Sequence, residues 1–300
     1  MNETLKRGIS GVIYIILLLA SILFSTESFF FLFGLFLIIT VFEFCNLVEI
    51  NKLFPILLAS IIYITVTSIS FYRLGTENFL NQYLSNKIII TVNINQLNLI
   101  LLVINIVVSI KCIVFLFFDK IQKISVSSKY LYLLGYIILP FIFITKISFG
   151  EKDYNPKIII GLFILIWTND TFAYIVGKSI GKYKLLERIS PKKTIEGFVG
   201  GVVFAIIAGF LISKFYIRPN PKFSERSILI WILIAVIVGI MGTIGDLIES
   251  KFKRIAGVKD SGKIMPGHGG ILDRLDSVIF AAPFIFLLYQ ILNYVSQRRF

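Results

Sequence analysis

Nine apolar stretches, most of them close to 20 residues long and nearly free of charge, run through this chain. An α-helix rising 1.5 Å per residue needs about 20 residues to cross a hydrocarbon core of about 30 Å, so each run has the length of a transmembrane helix. They read as Gly8 to Phe24, Phe29 to Ile50, Leu53 to Phe71, a region ending near Phe118, Tyr130 to Ile147, Ile158 to Val176, Gly197 to Ser213, Ile228 to Ile248, and Ser277 to Val295. Composition agrees. Of the 300 residues 57% are hydrophobic and the mean hydropathy is +0.88, beyond the roughly 45–50% apolar share of a soluble chain. A soluble fold is excluded, and the alternating ten-residue patterns of an outer-membrane barrel are absent. The expected fold class is all-α: a polytopic integral membrane protein of about nine transmembrane helices with a cytoplasmic N-terminus.

The fourth stretch is irregular. From Ile88 to Phe118 it is interrupted by Asn93, Asn95, Asn98, Asn105 and Lys111, which fits either one long tilted helix or a half-helix followed by a span. The first run follows Lys6 and Arg7 as a signal-peptide core would, yet no clean small-x-small cleavage site follows it, and eight further spans favour a retained helix. With the N-terminus inside, the cytoplasmic segments gather more than half of the 30 lysines and arginines, as the positive-inside rule requires. The net charge of +13 is compatible with simple topology sorting and with cationic loops that hold lipid headgroups or nucleotide phosphates. No aromatic-interleaved basic stretch points to nucleic acid. Cys45 and Cys112 lie far apart in apolar runs and read as small buried hydrophobes.

By chemistry the chain divides in two. Residues 1–150 form a hydrophobic transmembrane region with plain short loops, and residues 151–300 carry polar residues inside spans and two long charged loops, 177–196 and 249–276. The densest signal is Gly245 to Ser277, GDLIESKFKRIAGVKDSGKIMPGHGGILDRLDS. Asp246, Glu249, Ser250 and Lys253 share one helical face at the end of the eighth span. Asp273 and Asp276 open the ninth at i, i+3. Between them a loop with Gly257, Gly262, Pro266, Gly267, Gly269 and Gly270 is too broken for helix, and such glycines let backbone N–H groups cradle phosphate oxygens. Lys251, Lys253, Arg254, Lys259 and Lys263 lie beside it, and Arg274 between the two aspartates. Carboxylate pairs from successive spans joined by a cationic glycine-rich loop suit a magnesium-phosphate site; mutual salt bridging is the blander alternative. Ion pairing alone leaves unexplained why charges this costly in lipid gather at one boundary.

The sixth span carries Trp167, Asn169, Asp170, Thr171 and Tyr174, and the loop after it ends in SPKKTIEG. Ser190 followed by Pro191 suits an N-cap with proline at the first helical position, with Lys192, Lys193 and Glu196 at the start of the seventh span. Gly239, Gly242 and Gly245 form a small-residue ridge expected to serve helix packing.

The stretch Ser250 to Asp276, with SKFKR, KDSG, PGHGG and LDRLD, closely resembles the signature of the phosphatidate cytidylyltransferases, also called CDP-diacylglycerol synthases. SPKKTIEG and the ND before TFAY are similar to other elements of that family. Met265 and Lys263 depart from its usual residues without removing a group the chemistry needs. The resemblance implies transfer of CMP from CTP to phosphatidate in the cell (inner or plasma) membrane, with Mg2+ as cofactor, a second cation left open, a homodimer, and no nucleic-acid partner. The metal ligands it suggests are Asp246, Asp273 and Asp276. The catalytic set is Lys253, Arg254, Lys259, Asp260, His268 and Arg274. The substrate-binding set is Asp170, Ser190, Lys192, Lys193, Thr194, Glu196, Ser250, Lys251, Gly267, Gly269 and Gly270. His268 either donates to a phosphate or holds its loop. A transferase for an isoprenoid or ether lipid and an ion or metabolite transporter are the competing readings.

Overall fold

The computed structural model describes residues 3–76, 94–117, 124–149, 154–217 and 225–297. Among them are nine helices: α1 Glu3–Phe24, α2 Thr26–Val48, α3 Leu53–Thr76, α4 Ile94–Phe117, α5 Val126–Ile147, α6 Pro156–Ile180, α7 Ile195–Ile217, α8 Glu225–Ile255 and α9 Leu272–Gln297. Eight are long and apolar enough to cross a membrane, and α3 contributes a shorter apolar stretch, Leu53–Ser68. The chain is a multi-pass membrane protein. For the fourth span the described part is one helix; its expected reach back to Ile88 and on to Phe118 lies outside the described residues.

Helix starts follow local chemistry. Ser25 and Ser28 form a capping box at α2, and Asn155 caps α6 with Pro156 at the first helical position. Within α5 the turn Leu133–Ile138 is π-helical. Asn105, fully buried on α4, donates to the carbonyl of Gly135 there at 2.9 Å, so one interrupting asparagine serves helix packing inside the bundle. The same turn places Tyr136 against Phe44, Phe252 and Phe280, an aromatic floor joining α2, α5, α8 and α9.

Contacts at the two ends of the bundle agree with alternating spans. At one end the start of α1 meets the loop before α9, through Ser10 and His268. There too the last turns of α2 and α4 meet α8 and the α8–α9 loop, through Glu43 with Ile271 and through Phe115 with Lys251. At the other end Tyr154 before α6 donates to Ile22 at the end of α1, and Ser213 of α7 pairs with Ser227 of α8.

The seventh span departs from its expected start. Ser190 does not cap it: Lys184–Leu186 and Ser190–Thr194 pair as an antiparallel hairpin, β1 and β2, and Thr194 is the N-cap, accepting from Gly197 N–H at 3.1 Å. A Ser-Pro pair signals a cap only where a helix follows directly; here two more lysines continue as strand. The eighth and ninth spans reach beyond their apolar limits, as the shared face of Glu249, Ser250 and Lys253 and the i, i+3 pair Asp273 and Asp276 imply, so the loop drawn at 249–276 narrows to 256–271.

The glycine ridge does pack helices. A Cβ on Gly245 would lie 2.6 Å from the Asp276 carbonyl oxygen and from Phe280 Cβ on α9, whereas one on Gly242 would come only to 3.4 Å of Ser277 Cβ. Gly245 thus sets how closely α8 and α9 cross, one residue from Asp246. Gly245→Ala is expected to destabilise the detergent-purified protein by about 1–3 kcal/mol through overpacking, and Gly242→Ala by clearly less, read as thermal midpoints.

Candidate active site

The crossing of α8 and α9 brings three carboxylates together. One oxygen each of Asp246, Glu249 and Asp276 lies within 4.8 Å of the others. Asp246 and Glu249 are neighbours on one face of α8, and Asp276 comes from the second turn of α9. Glu249 is 1% exposed and its Oε1 has no hydrogen-bond partner among the described residues. A buried acceptor without a donor is costly, and three oxygens converging around it supply the ligand type that a hard divalent cation takes.

Two lysines offset the negative charge. Lys193, delivered by β2, contacts Asp246 Oδ2 at 2.5 Å. Lys253 bridges Glu249 Oε2 at 2.5 Å and Asp273 Oδ1 at 2.6 Å. Ser250 donates to Asp246 Oδ1 at 3.2 Å. Asp170 of α6, bonded to Asn169 at 3.2 Å, stands within electrostatic range of Asp246, Asp276 and Lys193. The hairpin is itself tied down: Glu196 accepts from Tyr183 N–H, and Arg254 Nε donates to the Ile189 carbonyl at 3.3 Å.

Asp273 has a different setting from the triad. Its Oδ2 accepts from Ser261 N–H and Oγ, each at 2.8 Å, and from Gly270 N–H at 2.7 Å. With Oδ1 on Lys253, both of its oxygens are engaged by the protein. Beside it Glu43, a residue of α2, accepts from Ile271 N–H at 3.1 Å, Leu272 N–H at 2.8 Å and Ser261 Oγ at 3.2 Å. A carboxylate at a helix N-terminus satisfies otherwise orphaned donors and meets the positive end of the dipole. A Cβ on Gly270 would displace Ser261 Oγ and both Glu43 oxygens, and with them the bonds that hold the start of α9.

The loop tip is a tight turn in which Met265 and Gly269 exchange backbone hydrogen bonds at 2.9 and 3.1 Å, with Gly269 at φ +87. Pro266, Gly267 and His268 form its crest. Arg274 donates to the His268 carbonyl at 2.9 Å, and the His268 Nδ1 lies 2.8 Å from Ser10 Oγ on α1. Burial, then the positive charges of Arg274 and Arg7, hold the imidazole below its ordinary value of 6.5. The ring is therefore neutral at neutral pH, and the stability tied to its neutral form is complete above about 6.5 and lost as pH falls through the lower native value. Lys259, Asp260 and Lys263 are exposed on the loop, and Lys192 on the hairpin.

Of the residues expected from sequence, Asp246, Asp276, Ser250, Lys193 and Lys253 converge on the carboxylates. Asp273, Gly269, Gly270, His268 and Arg274 build the loop, Gly267 lies on its crest, and Asp170 approaches from α6. Ser190, Thr194 and Glu196 shape the hairpin. Lys251 is not brought to the cluster: it is buried, with its ammonium on the Phe115 and Leu116 carbonyls and 4.3 Å from the Phe115 ring centre, where it caps the end of α4. Glu43 and Glu249 are the site residues that the expected set lacked. Glu249 was legible from its i, i+3 spacing to Asp246; an acid within an apolar span was the one available signal for Glu43.

The family model described as "Cytidylyltransferase family" matches residues 5–292. The phosphatidate cytidylyltransferase of Staphylococcus haemolyticus (strain JCSC1435) is 48% identical over 126 residues, 42% of this chain and 46% of that protein. That of Bacillus subtilis (strain 168) is 40% identical over 171 residues, 57% of this chain and 59% of that protein. That of Staphylococcus aureus (strain COL) is 48% identical over 128 residues, 42% and 46% respectively. The chain spans about half the length of the curated relatives it matches. With the family model running through every helix that builds the carboxylate cluster, the chain belongs to the cytidylyltransferase family.

Proposed function

We propose that the protein is a magnesium-dependent phosphatidate cytidylyltransferase, converting CTP and phosphatidate to CDP-diacylglycerol and pyrophosphate. The observation that carries this reading is the triad of half-buried Asp246 with buried Glu249 and Asp276, in which Glu249 Oε1 has no donor among the described residues, in a chain of this family. The all-oxygen donor set fits Mg2+. Bound there, the ion would neutralise charge on the triphosphate and on the departing pyrophosphate.

The chain's own residues do the rest. An oxygen of the phosphatidate phosphate forms a bond to the α-phosphorus of CTP while the bond to the β-phosphate breaks and pyrophosphate leaves with the electron pair. The attacking phosphate is already anionic near neutral pH, so the site needs no dedicated general base. That suits a chain whose one histidine is held neutral and faces α1. The barrier lies in bringing anions together, which cations placed in advance lower. Lys193 and Lys253 stand at the carboxylates, with Arg274, Lys259, Lys263 and Lys192 forming a cationic rim that draws in phosphates. Asp273 and Glu43 fix the glycine-rich loop over the nucleotide. The site lies at one end of the bundle, so acyl chains remain in lipid while the headgroup meets a soluble nucleotide. The lysine distribution supports a cytoplasmic position for that end.

Pyrophosphate release by the detergent-purified protein is expected to require CTP, phosphatidate and Mg2+ together and to stop on chelation. Glu249→Gln and Asp276→Asn are expected to lower kcat by about a hundredfold or more, the scale of a lost transition-state electrostatic contact. Release with an isoprenoid or ether lipid in place of phosphatidate would change the substrate, and silence with every lipid from a folded protein would overturn the reading. Glu43→Leu, by contrast, strands two buried N–H groups. It is expected to lower the thermal midpoint by the equivalent of about 1–3 kcal/mol, whether or not Mg2+ is present.

A further inference from the structure

The face of α1 that carries Arg7, Ser10 and Gly11 touches the crest of the glycine-rich loop, and Tyr14, one turn further along that face, lies within electrostatic range of Arg274 and Asp276. Ser10 Oγ lies 2.9 Å from the Pro266 carbonyl, 3.1 Å from the Arg7 carbonyl and 2.8 Å from His268 Nδ1. A hydroxyl has one proton. Given to a carbonyl, it leaves the oxygen to accept from Nδ1–H, and the imidazole then has no N–H to offer a phosphate; given to Nδ1, it leaves the ring proton on Nε2, and in both arrangements Ser10 grips the ring at 2.8 Å. Gly11 lies beneath the ring: a Cβ there would come within 3.2 Å of His268 Cε1. Gly267 at φ +78 leaves no room for a Cβ against Arg7 Cγ, 2.5 Å away.

We propose that Ser10 and Gly11 are positioning residues of the nucleotide-binding loop, with His268 as the latch they grip rather than a catalytic group. The assignment rests on the reading of this loop as the one that closes over CTP. Loss of the latch lets the crest swing away from Arg274 and from the triad, which weakens nucleotide binding without touching the reacting atoms.

Two readouts on the full-length protein test this. In steady-state kinetics Ser10→Ala is expected to raise KM for CTP about tenfold, the equivalent of one hydrogen bond at about 1.4 kcal/mol. Its kcat and its KM for phosphatidate should stay within about twofold, with Ser10→Thr restoring the wild-type KM. Gly11→Val should act in the same direction. In limited trypsin digestion without substrates, cleavage after the exposed Lys259 and Lys263 should be faster in Ser10→Ala and Gly11→Val than in the wild type, while cleavage elsewhere is unchanged. A fall in kcat with KM for CTP unchanged, or trypsin rates equal to wild type, would overturn the proposal. If the wild type fails to turn over CTP but loop cleavage still accelerates in the variants, the latch stands and the functional reading falls.

Discussion

Carboxylates gathered at the edge of an apolar bundle repel one another, and much of this structure serves to keep three of them in place. Two unit charges 4 to 5 Å apart repel by about 3–4 kcal/mol at an effective dielectric near 20. One oxygen each of Asp246, Glu249 and Asp276 lies within 4.8 Å of the others, so any two that are ionised together repel on that scale. Two constraints hold them there. Gly245 lets α8 approach α9 until backbone and side chains touch, and Lys193 and Lys253 bring compensating charge from a hairpin and from the next turn of α8. Neither lysine reaches Glu249 Oε1. The unmet demand for positive charge is local to the α8–α9 crossing.

Around this cluster the carboxylates divide their work. Asp273 shares Lys253 with the triad and Glu43 shares Ser261 with Asp273, yet the oxygens of both are taken up by backbone amides, Ser261 and Lys253. They convert a glycine-rich segment, which would otherwise sample many conformations, into a fixed turn leading into α9. A loop so anchored can present backbone N–H groups to phosphates without having to be ordered first. The same chemistry that makes two acids ligand candidates makes two others structural, and the difference is the number of protein donors aimed at each.

Much of the architecture was legible in the sequence because a membrane allows few backbone solutions. Apolar run length gave nine helices, while their ends had to be read from other signals, such as the shared face of Glu249, Ser250 and Lys253 past the apolar limit of the eighth span. The glycine ridge and the carboxylate pairs were legible from helical spacing. Long-range geometry was not. Nothing local says that Lys251 turns toward α4 while Lys253, two residues on, turns toward Asp273. Ser10 and Glu43 act on a loop more than 200 residues away, contacts that no periodicity encodes. The hairpin at Lys184–Thr194 was missed because Ser-Pro competes as a helix cap, and pairing to Lys184–Leu186 decided the matter.

The central claim is that the α8–α9 crossing builds a divalent-cation site, and equilibrium binding of Mn2+, followed by loss of the free-ion paramagnetic resonance signal in the absence of substrates, tests it most directly. The account predicts saturable binding to the detergent-purified wild type, displaced by Mg2+ and lost in Glu249→Gln and Asp276→Asn, with both variants folded. Equal Mn2+ binding in the wild type and both variants would contradict it.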